Sequence, residues 1–175
     1  MNIYLNTKDS NKEFEDILNG VITHSTVLKM KNYKQHYDTS CFDHCMNVAY
    51  YTYHFCKIFN MHYYQATRAA MLHDLFLYDW RKKQNGRKGL HGFTHPQTAL
   101  DNASKEFSLT KIEKDIIFKH MWPLTFFRIP KYKESFVVCM IDKYCAIEES
   151  IYAYLKQKRL RYAYLFLSLI VLNIV

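Results

Sequence analysis

Apolar positions along the chain fall into helix-length stretches separated by Gly, Pro and polar breaks. After a polar, partly helical lead-in of about 35 residues, the stretch "TSCFDHCMNVAYYTYHFCKIF" predicts a first long helix, with Ser40 as its cap and Asp43 three residues later in the manner of a capping box. A second helix is predicted through "YQATRAAMLHDLFLYD". The segment "RKKQNGRKGLHGFTHP" then holds Gly86, Gly89 and Gly92, three of the four glycines in the chain, and predicts a loop that is the natural candidate for a lid. Pro96 suits the first turn of the following helix, which places His95 at or beside its N-cap. Thr110 and Glu113 mark the start of another helix that reaches His120, and Pro123 and Pro130 break the chain after it. From about Glu134, "ESFVVCMIDKYCAIEESIYAYLKQ" repeats Val137, Val138, Ile141, Cys145 and Ile151 at helical spacing. The closing "YAYLFLSLIVLNIV" is about fourteen apolar residues, short of the roughly 17–25 that cross a bilayer, so a core or interfacial helix over about 151–175 is expected rather than a membrane anchor.

Composition sharpens this picture. A chain of 175 residues, 49% of them hydrophobic and with only four Gly and three Pro, fits one all-α domain spanning 1–175. Cys41, Cys45, Cys56, Cys139 and Cys145 are odd in number, form no CxxC pair and follow no secretory leader, so they read as reduced core residues of a cytoplasmic protein. The excess of 24 basic over 16 acidic residues suits an anionic partner such as a phosphorylated metabolite or nucleotide. The basic residues are scattered, and no RNP-like, zinc-finger or P-loop pattern is present, so there is no clear nucleic-acid motif. Oligomeric state leaves no mark in the sequence.

The run "MLHDLFLYDW" contains a chemical anomaly: His73 and Asp74 stand where a helix buries everything. A carboxylate buried without a partner costs several kcal/mol, a cost relieved by pairing, protonation or a bound metal. His44, His95, His120 and Asp142 are further polar residues, each assigned to a different predicted helix or helix end. Imidazoles and carboxylates hold hydrolytic metals such as Zn, Mn, Fe and Ni, and helix bundles build such sites from inward side chains on facing helices.

The order His44, then His73-Asp74, then a distant Asp142, resembles the HD superfamily of metal-dependent phosphohydrolases over roughly residues 36–150. The resemblance implies an HD-domain helical bundle in which His44, His73, Asp74 and Asp142 bind one divalent metal. His95 in "GFTHP" and His120 in "IIFKHMWP" occupy the places where bimetallic members carry two more histidines, which implies a second ion. The cofactor is then one or two ions of Mn, Fe, Zn, Ni, Co or Mg. The implied reaction is hydrolysis of a phosphomonoester or phosphodiester, on a nucleotide or other small phosphorylated substrate, by metal-activated water. Asp74 would orient that water or act as base. The "GYP" signature of cyclic-di-nucleotide phosphodiesterases is missing.

Lys82, Lys83, Arg87 and Lys88 of the loop, with His36 and His91, are candidate contacts to the substrate phosphate. Tyr78, Trp80, Trp122, Phe126 and Phe127 lie near the ligands in sequence and suit either base stacking or packing. Bland readings exist for each histidine: His95 as an N-cap, His120 as a helix terminus, His54 and His62 as helix surface or core, His24 as surface. Two other functional classes fit the same residues, a di-iron oxygenase of the HD fold, as in myo-inositol oxygenase, and a non-catalytic metal or nucleotide sensor.

Overall fold

The computed structural model describes residues 8–36, 38–82 and 89–172, with side chains described for these except 8–10, 36, 160 and 162–172. Their architecture is an all-α bundle, in chain order α1 (Lys8–Leu18), α2 (Ser25–Leu28), a 3-10 turn (Lys29–Asn32), strands β1 (Lys34–His36) and β2 (Thr39–Ser40), then α3 (Cys41–Ile58), α4 (Tyr63–Leu72), α5 (His91–Glu106), α6 (Lys111–Lys119) and α7 (Lys133–Leu172). The two strands form a small antiparallel ribbon, Lys34 opposite Ser40 and His36 opposite Thr39, that delivers the chain to α3.

Helix α3 begins where the sequence places it. Ser40 Oγ accepts from Asp43 N at 3.1 Å and donates to the Asp43 carboxylate at 2.6 Å, so a free N–H at the helix start is satisfied locally. Its far end closes with Asn60 at φ 48, a left-handed position that Asn tolerates. Asn60 N donates to Lys57 O at 3.2 Å and Met61 N to Cys56 O at 2.8 Å, which turns the chain back so that α4 packs along α3. Val48, Ala49, Tyr53 and Cys56 of α3 meet Ala66, Ala69, Ala70 and Met71 of α4, all without solvent exposure. The alanines admit close approach, and this pairing is the centre of the core.

Helix α4 ends sooner than its apolar run suggests. Leu72 is its last residue, His73 is the C-cap, and the chain then turns through Leu75 N to Leu72 O (3.2 Å) and Phe76 N to Asp74 O (2.6 Å). Positions 69–76 are eight consecutive buried residues. Four of these, 69–72, lie inside α4, whose end is therefore buried all round rather than along one stripe, and 73–76 stay buried through the turn that follows. Helix α5 departs in the other direction: it starts at His91, with Pro96 one turn inside it. His95 is therefore an interior helix residue rather than an N-cap, and Pro96 forgoes only the bond to the Gly92 carbonyl. Helix α6 has the expected capping box, Thr110 Oγ1 accepting from Glu113 N while the Glu113 carboxylate accepts from Thr110 N. The other Glu113 oxygen pairs with Arg68 at 3.3 Å, which ties α6 to α4.

The predicted C-terminal helix is not separate. It continues α7, a single 40-residue helix about 60 Å long at 1.5 Å per residue. Its first half packs on α3 and α6 through Val138, Cys139, Asp142 and Cys145, whereas residues 151–159 are exposed apart from half-buried Ala153; the side chains of the closing apolar stretch, for which a core or interfacial role is expected, lie outside the described residues. Among the described residues no helix is long and apolar enough to cross a membrane. All five cysteines are buried free thiols, as expected.

Helix α1 is fastened by one carboxylate. Glu13 accepts hydrogen bonds from Lys57, from Tyr53 (2.6 Å) and from Tyr63 (2.9 Å), and these donors, Lys57 first, lower its pKa from 4.5 to about 2. A depressed carboxylate stabilises the fold above its ordinary pKa, and that contribution fades as pH falls toward the depressed value. Because the side chain is 36% exposed, solvent screening limits the effect to about 1 kcal/mol. Glu13→Gln is therefore expected to lower the Tm modestly at pH 7, with the gap to the parent narrowing between pH 4.5 and pH 2 in a thermal-melt series.

Candidate metal centre

Five elements deliver six residues to one place. His44 comes from the first turns of α3, His73 from the C-cap of α4 and Asp74 from the turn after it, His95 from α5, His120 from the C-cap of α6, and Asp142 from α7. None is more than 8% exposed.

The four imidazoles share a proton arrangement. Nδ1 of His73 lies 2.7 Å from Ala70 O, Nδ1 of His95 2.8 Å from His91 O, and Nδ1 of His120 2.8 Å from Ile117 O. A carbonyl oxygen only accepts, so each Nδ1 carries the hydrogen. His44 Nδ1 faces the Glu149 carboxylate at 3.0 Å, which has the same effect. With Nδ1 so engaged, each ring turns its Nε2 inward, the arrangement by which metal-binding histidines are oriented.

These inward atoms form two adjoining groups. In the first, His44 Nε2 is 3.1 Å from Asp142 Oδ1, and His73 Nε2 is 3.6 Å from the same oxygen and 3.5 Å from Asp74 Oδ2. In the second, Asp74 Oδ1 is 3.1 Å from His95 Nε2 and 3.4 Å from His120 Nε2. The ligand atoms of His44, His73 and Asp74, and separately those of Asp74, His95 and His120, lie within 4.8 Å of one another. Asp74 is common to both, one oxygen toward each.

The residues present fit metal ions. His73 Nε2 and Asp74 Oδ1 are buried without a hydrogen-bond partner, a costly condition that a cation relieves. His95 Nε2 and His120 Nε2 stand 2.8 Å apart, and two lone pairs approach so closely only with a proton or a cation between them. The donor set of imidazole nitrogens and carboxylate oxygens suits borderline divalent metals.

Electrostatics without an ion point the same way. Burial opposes a charged His44, but its hydrogen bonds to Asp142 and Glu149 prevail and hold its pKa well above the ordinary value. His73 is raised likewise, burial being outweighed by Cys45, Asp74 and Asp142. Burial pushes Asp74 and Asp142 upward, yet the surrounding histidines hold both carboxyls well below the usual range. His120 is lowered, chiefly by burial. A cation bound there would take the place of protons on these groups.

A pocket of about 250 Å³ opens onto the cluster, lined by Gln35, Asp74, Trp80, His91, Gly92, His95, His120, Met121, Asp142, Lys143 and Ala146. His91, in the pocket wall, is stacked between Trp80 (5.4 Å, 16°) and His95 (4.4 Å, 21°), and its Nδ1 meets Tyr78 OH at 3.0 Å. The Lys82 side chain is 80% exposed, lies 3.8 Å from Asp79 and is not among the described lining residues. Lys83, Arg87 and Lys88, and the side chain of His36, lie outside the described residues. His24 caps α2, His62 pairs with buried Glu134, and His54 packs on Tyr50 and Tyr53. Trp122 packs on Phe136, and Phe126 and Phe127 are exposed.

Three residues of the site escaped the sequence reading. Lys143 is the one cation among the described lining residues, donating to His120 O at 2.9 Å and lying 3.4 Å from Asp142 Oδ2. Its adjacency to Asp142 was the available signal. Glu149, which orients His44, stands two helical turns beyond Asp142 on the same face, a spacing that could have found it. Gln35 donates to Asp74 Oδ2 from β1, and nothing in its local sequence marks it.

The fold and the site together define a helical protein with a buried His/Asp cluster compatible with an HD-like metal centre. Comparison with protein-family models, with curated proteins and with solved structures returns no match for this chain.

Proposed function

We propose that this chain is a metal-dependent phosphohydrolase of the HD type, acting on a phosphomonoester or phosphodiester bond of a nucleotide or other small phosphorylated substrate. The observation that carries the reading is the shared carboxylate: Asp74 offers one oxygen to His73 and the other to His95 and His120, the role of a bridging ligand in a two-metal hydrolytic site. When bound, divalent ions there supply Lewis acidity toward a phosphoryl oxygen and a lowered pKa for attacking water.

The chain's own residues supply the rest. Glu149 and the carbonyls of Ala70, His91 and Ile117 fix the four rings so that Nε2 faces the ligand space. Gln35 steadies the Asp74 oxygen on the His73 side. Lys143 brings a positive charge to the pocket beside Asp142, where a phosphate gains a charge-assisted hydrogen bond, and the stacked rings of Trp80 and His91 form an aromatic part of the pocket wall.

The test is metal analysis of the purified protein, followed by a phosphatase and phosphodiesterase panel with Mn, Mg, Fe, Co, Ni and Zn. Metal-dependent release of phosphate or of a monoester supports the reading. Iron content with dioxygen consumption and no hydrolysis would replace it with the di-iron oxygenase. For a hydrolysed substrate, Lys143→Met is expected to raise KM by about 10–100-fold, the worth of one charged hydrogen bond, with metal content unchanged. An unaltered KM would leave Lys143 with no duty beyond the His120 carbonyl.

A further inference from the structure

The pocket is bordered by an apolar surface that the hydrolytic reading does not use. Leu124, Phe126, Phe127 and Ile129 stand exposed on the segment between α6 and α7, with Phe127 96% and Phe126 66% accessible, and Leu90 and Phe93 stand exposed at the start of α5. The two segments make one face. A Cβ on Gly92 would lie 3.0 Å from Leu124 Cδ2, and Arg128 Nη1 donates to Phe93 O at 3.3 Å. Gly92 and Met121, which adjoin this face, also line the pocket, so the apolar surface reaches the pocket mouth.

The segment's own charged residues are all basic, and Asp115, which accepts from Lys131 N at 2.9 Å, is nearly buried and paired with Lys119 at 2.6 Å. "LTFFRIPKYK", residues 124–133, contains Arg128, Lys131 and Lys133 and no acidic residue. Contiguous exposed apolar patches mark interaction sites, and phenylalanines interspersed with basic residues are the chemistry of segments that lie in the headgroup region of a bilayer. We infer that this face docks on an anionic lipid surface, the phenylalanines entering the headgroup boundary while Arg128, Lys131 and Lys133 meet lipid phosphates.

Charge decides between this occupant and a second copy. A two-fold contact through this face would gather six cations in one interface with no acidic residue of the segment to pair with them, whereas an anionic membrane is complementary to all of them. The net charge of +8 acts in the same direction. The inference goes beyond the proposed hydrolytic function and does not rest on it.

The experiment is co-sedimentation of the full chain with vesicles of phosphatidylcholine alone and of phosphatidylcholine mixed with phosphatidylglycerol. The parent is expected to sediment with the mixed vesicles, less so as salt is raised, and to stay in solution with phosphatidylcholine alone. Phe126→Ser with Phe127→Ser should weaken partition by about tenfold or more, with circular dichroism and metal content unchanged. Ile151→Ser with Leu155→Ser, on the exposed part of α7, should bind as the parent does. A parent that ignores both vesicle types overturns the proposal, and so does equal binding to phosphatidylcholine alone. Unaltered partition of the phenylalanine variant, or loss of binding in the α7 variant instead, overturns it as well. A parent dimer in light scattering that the phenylalanine variant dissociates would assign the face to a second copy.

Discussion

Asp74→Asn is expected to yield a folded protein that retains neither its metal nor its turnover. The carboxylate is 1% exposed and reaches both ligand groups, so replacing one oxygen with an amide nitrogen turns a donor toward His73 on one side or toward His95 and His120 on the other. The negative charge that a dication requires disappears in either orientation. Removing a single charge-stabilising group from an active site costs about 10²–10³ in rate, and this change takes away a ligand common to two ions, so a loss on the order of 10³ or more is expected. The fold should survive, because Asp74 follows α4 rather than lying within it, and the α3–α4 core of Val48, Ala49, Tyr53, Ala66 and Ala69 makes no use of it. Far-UV circular dichroism should match the parent, while metal analysis after dialysis and the rise in Tm on adding metal should both fall to background. A variant that keeps its metal and its turnover would remove Asp74 from the centre and with it the HD reading.

What the sequence made legible followed from local rules. Ser40 and the Thr110–Glu113 pair announced helix starts because capping chemistry lies within four residues, and both appear as expected. The six ligand candidates were visible because charge inside an apolar run is costly and calls for an explanation. Backbone details that depend on tertiary packing were not visible. The apolar run through "MLHDLFLYD" reads as one helix, but the chain leaves the helix after Leu72 while staying buried through Phe76, which places His73 on a helix end and Asp74 outside the helix. Pro96 is read by propensity as a first-turn residue, yet α5 tolerates it one turn inside, which brings His95 round to face His120. Of the residues that tune the site, Lys143 and Glu149 carried a local signal in their adjacency and helical spacing to Asp142, whereas Gln35 reaches Asp74 from a distant segment whose local pattern does not mark it.

Changing His95 and His120 together to Ala is expected to lower the metal content from two ions per chain to one. The first group is complete without them: His44, His73, Asp142 and one oxygen of Asp74 give four donors, enough for a divalent ion with water filling its shell. The second group consists of His95, His120 and the other Asp74 oxygen, and the double variant leaves that oxygen alone. The two kinds of site are separable in a second readout. Ligand-linked stabilisation follows RT ln(1 + [L]/Kd) for each site, so the variant should keep part of the thermal shift on metal addition rather than all or none of it. The ion-free proteins should differ less than the loaded ones, because the 2.8 Å approach of the two Nε2 atoms contributes no stability until something positive lies against it. Turnover should drop by about 10² or more, as one of the two groups that balance charge at the phosphoryl centre is gone. A parent that holds a single ion, unchanged in the double variant, would reduce His95 to a packed helix residue and His120 to a helix terminus. That result would remove the oxygenase alternative along with the second site, since the iron pair it requires would have nowhere to bind, while a hydrolase built on His44, His73, Asp74 and Asp142 would stand.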